Sequence, residues 1–245
     1  MSESSAQRVS IVIPVYRGET TLPTLIDEVE PLTNLQMTPD GKPYVISEVI
    51  LVHDCGPDRS DLVIEALHEK YPFVHLVWLS KNFGQHAASM AGMASATGDW
   101  VITLDEDGQQ DPHDIGRLLD TALNKSLQLV YAQPTNLPNH GWWRNILSRT
   151  AKAITVKLLN NSPMGKFNSY RLIDGEIART LAAYCGNGVY LDVGLYWMVG
   201  RIGHCPLQLR IEMDRPSGYS YAKLFGHCLL YTSPSPRDLV GNLVC

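Results

Sequence analysis

Apolar positions along the first half of the chain fall into short runs separated by longer stretches with helical spacing. Val9-Ser-Ile-Val-Ile-Pro-Val-Tyr16 is a β-branched run ending in a turn and predicts a first strand. From about Thr20 to Leu32, Leu22, Leu25, Ile26 and Val29 share one helical face. Asn34 to Lys42 carries Pro and Gly and predicts a loop. Glu48-Val-Ile-Leu-Val-His53 predicts the second strand, closed by Asp54-Cys-Gly-Pro57, and Arg59 to Lys70 a helix. Val74 to Leu79, Asp99 to Leu104 and Leu127 to Ala132 predict three more strands, with helices over Gln85–Ala96 and Pro112–Asn124 between them.

Several of these strands are near-continuous apolar runs, so both of their faces are buried, as in a parallel sheet covered by helices. The fold class expected is α/β, with a mostly parallel, Rossmann-like sheet. Such sheets bind ligands beyond the carboxyl ends of their strands. The polar residues after strands one, two and four therefore point to one cleft: Tyr16 to Glu19, Asp54 to Asp58, and Asp105 to Asp111.

Composition narrows the class. The 245 residues are 44% hydrophobic and 18% charged, a globular balance, and the net charge of −5 does not suggest nucleic-acid binding. Residues 1–7 are polar and serine-rich and predict a disordered tail. Cys55, Cys185, Cys205, Cys228 and Cys245 lack zinc or redox spacing and are expected to be isolated thiols. No uninterrupted apolar run reaches the length of a membrane span.

The strongest chemical signal is Leu104-Asp-Glu-Asp-Gly-Gln-Gln-Asp-Pro112. Asp105 and Asp107 stand two apart at the end of a buried strand, so extended geometry puts both carboxylates on one face. At a sheet's ligand edge such a pair suits Mg²⁺ or Mn²⁺, hard cations that leave positions open for substrate phosphates. The plainer reading is an acidic turn, with Asp111 capping the helix at Pro112.

The ordered set Ile-Val-Ile-Pro-Val-Tyr16, Val-Ile-Leu-Val-His-Asp-Cys-Gly-Pro-Asp58, Leu-Ser-Lys-Asn-Phe-Gly-Gln-His86 and Gly-Asp-Trp-Val-Ile-Thr-Leu-Asp-Glu-Asp107 resembles the family 2 glycosyltransferases of GT-A fold. The resemblance is greatest to the polyprenyl-phosphate (dolichyl- or undecaprenyl-phosphate) sugar transferases, and it extends from about Val9 to Leu224. It implies a nucleotide pocket lined by Pro14, Tyr16 and Glu19, with Asp54 on the base or ribose side. It also implies metal ligation by Asp105 and Asp107, with Gln109 matching the motif's glutamine. His53 stands where Asp or Asn is usual, and Gly108 where Leu is usual. Lys81 matches a basic position suited to phosphate contact; the alternative is a solvated loop charge. His86, alone at the start of an Ala-rich helix, is expected to be a packed or capping residue.

In the second half, Lys166-Phe-Asn-Ser-Tyr-Arg171 resembles the family's Ser-Phe-Arg segment, and Arg171 would hold a phosphate or an acidic neighbour. Gly188-Val-Tyr-Leu-Asp192 resembles the segment that bears the family's base-like acid, so Asp192 is the catalytic candidate. A helix N-cap is its structural alternative, since a helix pattern runs on to Arg201. Arg215-Pro-Ser-Gly-Tyr-Ser220 resembles a motif near the donor diphosphate or acceptor, which would engage Arg215 and Ser220. From Thr121 to Ile173 there is no Asp or Glu, and apolar residues recur at helical spacing between Trp142 and Leu159. That segment would either lie on an anionic membrane surface or pack on the core with a solvated basic face. Residues 228–245 match the in-frame translation of a transposon-type sequencing adapter and are expected to be non-native. Residues 8–227 would then be a C-terminally truncated catalytic domain whose native chain continues past His227 into membrane-anchoring helices.

Taken together, the resemblance implies a metal-dependent, inverting transfer of sugar from a nucleotide-sugar donor. The acceptor would be a polyprenyl phosphate at the cytoplasmic face of the membrane, in cell-envelope polysaccharide synthesis. A glycan hydroxyl acceptor, a nucleotidyltransferase and a sugar-nucleotide-binding module are the rival readings. No nucleic-acid partner is expected.

Overall fold

The computed structural model describes residues 5–136, 167–185 and 189–210. Strand β1 (Gln7–Val15) lies between β3 (Pro43–His53) and β5 (Trp100–Thr103), and β4 (Val74–Trp78) adds to β3; all of these pairings are parallel. Beyond β5 the order is β7 (Arg171–Asp174), β6 (Leu129–Pro134) and β8 (Ile202–Leu207). β7 runs antiparallel to both of its neighbours, and β8 is parallel to β6. The short β2 (Gln36–Met37) forms an antiparallel hairpin with the start of β3. The sheet is therefore mostly parallel, as the apolar runs require.

Helices cover both faces. On one face α1 (Leu22–Val29), α2 (Ser60–Lys70) and α4 (Ile115–Asn124) pack Leu25, Ile64 and Leu118 against Ile11, Ile13 and Val15. On the other, α3 (Gln85–Ser95), α5 (Gly175–Tyr184) and α6 (Leu191–Met198) pack Met93, Leu181 and Leu195 against Val12, Val52 and Ile173. The period-two alternation of β1 divides its side chains between these two cores. α3 lies so close to the sheet that a Cβ on Gly92 would stand 2.4 Å from a Val12 methyl group.

Boundaries differ from the sequence pattern where proline or short elements intervene. The helix expected to reach Leu32 leaves α geometry after Val29 and ends in a 3₁₀ turn, Glu30–Thr33, because Pro31 has no N–H to continue the ladder. β2 falls inside the expected loop, and β3 begins at Pro43 rather than Glu48. β1 starts at Gln7, the last residue of the expected tail, and the Gln7 side chain accepts a hydrogen bond from Trp100 Nε1 at 3.0 Å. Among the described residues no helix is long and apolar enough to cross a membrane. The segment from Trp142 to Leu159, Arg215, Ser220 and the 228–245 tail lie outside the described residues.

Candidate functional site

The loops after β1, β3 and β5 meet at the carboxyl edge of the sheet, and side-chain oxygens join them. β5 ends at Thr103, and the chain turns at Glu106 and Asp107 rather than staying extended as the sequence spacing predicts. Asp105 and Asp107 interact through their charges, while Glu106 turns away and accepts hydrogen bonds from the backbone N–H groups of Tyr16 and Arg17, each at 2.8 Å. In the loop after β3, a Cβ on Gly56 would stand 1.7 Å from the Tyr16 carbonyl oxygen, so only glycine permits this approach. Cys55 beside it holds a positive φ of 48°.

Asp105 is the best-anchored acid of the set. Gln85 Nε2 donates to its Oδ1 at 2.5 Å, Gln110 Nε2 to its Oδ2 at 2.8 Å, and the Ser169 hydroxyl to the same Oδ2. Ser169 arrives through strand register: Arg171 on β7 faces Thr103 on β5, so two residues further on Ser169 comes opposite Asp105. Burial pushes the Asp105 carboxyl up to about 6. The Ser169 hydrogen bond opposes that shift, the charge of Asp107 adds to it, and the charge of Arg171 opposes it. Gln109 donates its N–H to Asp107 Oδ1 at 3.0 Å, and Gly108 between them takes φ 72°, a region that favours glycine. Asp111 caps the 3₁₀ turn that leads into α4, as expected of it, and it also pairs with Arg210.

The other predicted residues separate into exposed and buried groups. Tyr16 is exposed with Arg17 over its ring, and Glu19 accepts from the Arg59 N–H at 3.2 Å. Pro14 is the penultimate residue of β1 and is half-buried. Lys81 is exposed, its ammonium 5.1 Å from the Phe83 ring centre. Asp54 is buried and accepts from the N–H groups of Phe83 and Gly84 at 2.7 and 2.9 Å, so its carboxylate organises the loop between β4 and α3. His53 packs against Trp78, and its buried Nε2 has no hydrogen-bond partner. His86 packs against Tyr190 with ring centres 3.9 Å apart.

Asp192 lies in the first turn of α6, whose N-cap is Tyr190, so it is not the helix cap. Its carboxylate is 5% exposed, pairs with the Arg171 guanidinium and accepts from the Tyr131 hydroxyl at 2.9 Å. Arg171 Nε also donates to Thr103 Oγ1 at 3.2 Å. Burial works against the guanidinium charge, and the neighbouring Asp192 outweighs it, so Arg171 is held above its ordinary range. Burial and then the Asp192 charge push the Tyr131 hydroxyl up. Of the two partners left open for Arg171, the structure supplies the acidic one.

Glu106, Gln85, Gln110 and Ser169 were not singled out from the sequence. Glu106 takes its place from the turn after β5, which the spacing alone does not give; Ser169 needed the antiparallel register of β7.

A divalent cation is a chemical fit to this edge. Asp105 and Asp107 offer hard oxygen donors that repel each other. Among the described residues no cluster of three or more His, Cys, Asp or Glu forms a protein cage.

Comparisons with known proteins agree with this architecture. The family model for glycosyl transferase family 2 matches residues 10–181. The undecaprenyl-phosphate 4-deoxy-4-formamido-L-arabinose transferase of Pectobacterium carotovorum is 44% identical over 117 residues, 47% of this chain and 34% of that protein. The enzyme of the same name from Photorhabdus laumondii is 37% identical over 168 residues, 68% of this chain and 49% of that protein. The chain thus spans half or less of the length of these curated relatives. Glucosyl-3-phosphoglycerate synthase of Mycobacterium tuberculosis, crystallised with Mn²⁺, uridine diphosphate and glucosyl-3-phosphoglycerate, superposes with a TM-score of 0.58 at 19% identity. That match covers 90% of this chain and 75% of the other. TarS of S. aureus in complex with UDP-GlcNAc superposes at 0.57 and 13% identity, covering 86% and 59%. These likenesses identify the GT-A fold, and with the family match over most of its described sheet the chain belongs to glycosyl transferase family 2.

Proposed function

We propose that this chain moves a sugar from a nucleoside diphosphate to a polyprenyl phosphate, with a divalent cation at Asp105 and Asp107. The observation that carries the reading is the paired carboxylate edge after β5, with Asp105 anchored by the neutral donors Gln85, Gln110 and Ser169. Mg²⁺ or Mn²⁺ held there would neutralise charge on the leaving diphosphate. Pro14, Tyr16 and Glu19 line the base and ribose side, Asp54 shapes the neighbouring loop, and Lys81 and Gln109 flank the phosphates. Arg215 and Ser220 contribute to acceptor or diphosphate binding. The acceptor oxygen attacks the anomeric carbon from the face opposite the leaving group, so configuration inverts.

The identity to enzymes named for undecaprenyl phosphate supports the lipid acceptor. So does the setting of Asp192. Its carboxylate is already engaged by Arg171 and Tyr131, a poor arrangement for taking a proton from a sugar hydroxyl. A phosphate monoester is largely dianionic at neutral pH and needs no strong base. Action at a membrane surface fits the exposed rings of Tyr184, Tyr196 and Trp197, since amphipathic aromatic side chains favour the headgroup level.

The test is a screen of isotope-labelled nucleotide sugars against a polyprenyl phosphate and a glycan acceptor, with and without chelator. Metal-dependent labelling of the polyprenyl phosphate is expected. Full-rate transfer after chelation would sink the metal assignment, and labelling of the glycan alone would replace the acceptor.

A further inference from the structure

We propose that Glu106 is a positioning residue that ties the nucleotide-facing loop to the metal motif; this rests on the nucleotide-sugar reading above. Glu106 lies in the turn after β5, and its carboxylate reaches the loop between β1 and α1. Its Oε2 accepts from the Tyr16 N–H at 2.8 Å, and its two oxygens accept from the Arg17 N–H at 2.8 and 3.0 Å. The Thr21 hydroxyl donates to the Glu106 carbonyl oxygen at 2.5 Å. The loop is thus fastened to one residue near both of its ends. A Cβ on Gly18 would stand 3.1 Å from the Glu106 carboxylate, which shows how closely the loop wraps it.

The far side of the same loop is held by the start of α2. Ser60 Oγ accepts from the Gly18 N–H at 2.8 Å, and Asp58 Oδ2 accepts from the Glu19 N–H at 3.2 Å. The β3 side therefore fixes the middle of the loop, and Glu106 fixes the stretch that carries Tyr16. Hydrogen bonds from N–H to a carboxylate are shorter and stronger than neutral ones. Through Glu106, the backbone that presents Asp105 and Asp107 is the same backbone that places Tyr16. Without it, the metal carboxylates stay in place and the nucleotide pocket loses its register against them.

The experiment uses the full 245-residue chain with UDP and Mn²⁺ as probes. Glu106→Ala should weaken UDP binding in the presence of Mn²⁺ about tenfold to hundredfold, the range that charge-assisted hydrogen bonds carry. Binding of Mn²⁺ alone, followed by electron paramagnetic resonance, should stay within about twofold. Glu106→Gln keeps one acceptor oxygen and should recover most of the UDP affinity. In turnover the Ala variant should raise the donor KM with little change in kcat. UDP affinity unchanged in the Ala variant would overturn the proposal, as would a loss of Mn²⁺ binding as large as that of Asp107→Asn. If the Ala variant does not fold, the Gln variant decides: faster amide exchange at Tyr16 and Arg17 with weaker UDP binding supports the tether, and no change in either overturns it. Wild-type protein that binds no UDP with Mn²⁺ would instead overturn the nucleotide-sugar reading and this inference with it.

Discussion

At the end of β5, Asp105 is held by three neutral side chains, Gln85, Gln110 and Ser169, and its carboxyl still sits at about 6. At the start of α6, Asp192 is more deeply buried and has a cation of the protein's own in Arg171. The two regions touch electrostatically, since the charge of Arg171 also reaches Asp105. A carboxylate with a built-in cation holds structure together. A buried carboxylate anchored by neutral donors, as Asp105 is, keeps a raised affinity for a proton or another positive charge. The same fold thus sets a buried ion pair close to a carboxylate anchored by neutral donors.

The largest effect should follow from opening the fixed pair. Arg171→Met leaves Asp192 buried without its cation and should cost about 3–5 kcal/mol in a denaturant titration. Arg171→Met combined with Asp192→Leu should recover most of that loss; if the double variant is no better than the single, the pair is not what the site loses. Next comes the acidic motif after β5: Asp107→Asn should reduce transfer by about 10²–10³-fold, with the unfolding midpoint little changed.

A third outcome concerns pH. The folded Asp105 carboxyl at about 6 lies above its unfolded value of 3.8, so the folded protein holds this proton more tightly. The stabilisation is fully present below about pH 4 and is lost as pH rises through 6. Near pH 7.5 and without metal, Asp105→Asn should therefore stabilise the fold by about 1–3 kcal/mol, a gain that disappears near pH 4. Thermal melts across that range, repeated with Mn²⁺, would measure it. A variant no more stable than wild type at pH 7.5 would mean that the hydrogen bonds to Asp105 already cover its charge.

The smallest effect is expected at Asp192 in catalysis. Counted per folded enzyme, Asp192→Asn should slow transfer to a polyprenyl phosphate by less than about tenfold. A glycan hydroxyl acceptor would lose the contribution of a general base, about 10²–10⁴-fold. A severe loss with the lipid acceptor would return Asp192 to the chemistry.

The first half of the fold was legible because its strands are buried on both faces and read as apolar runs, so β1, β4 and β5 appear within two residues of their expected ends. The acidic pair was legible for the same reason: the strand before it was plain. What escaped depended on pairing rather than local pattern. β7 is four residues long and makes sense only between β5 and β6, and Ser169 gains its place from that register. β2 is two residues long and exists through its partner. Asp192 carried a helix-start signal, but its role comes from Arg171, 21 positions away in sequence and adjacent in space.

The antiparallel insertion of β7 also has a consequence for how the molecule is made. During synthesis, β1 and β3 to β6 leave the ribosome before residue 135, while the slot between β5 and β6 stays empty until Arg171–Asp174 emerge. Until then both strands flanking that slot present unpaired backbone groups, the feature that invites aggregation. The donor edge waits for the same event, because Ser169 and Arg171 enter with the late strand. A nascent chain stopped before β7 would carry every carboxylate of the candidate metal motif and still lack the scaffold that aims Asp105.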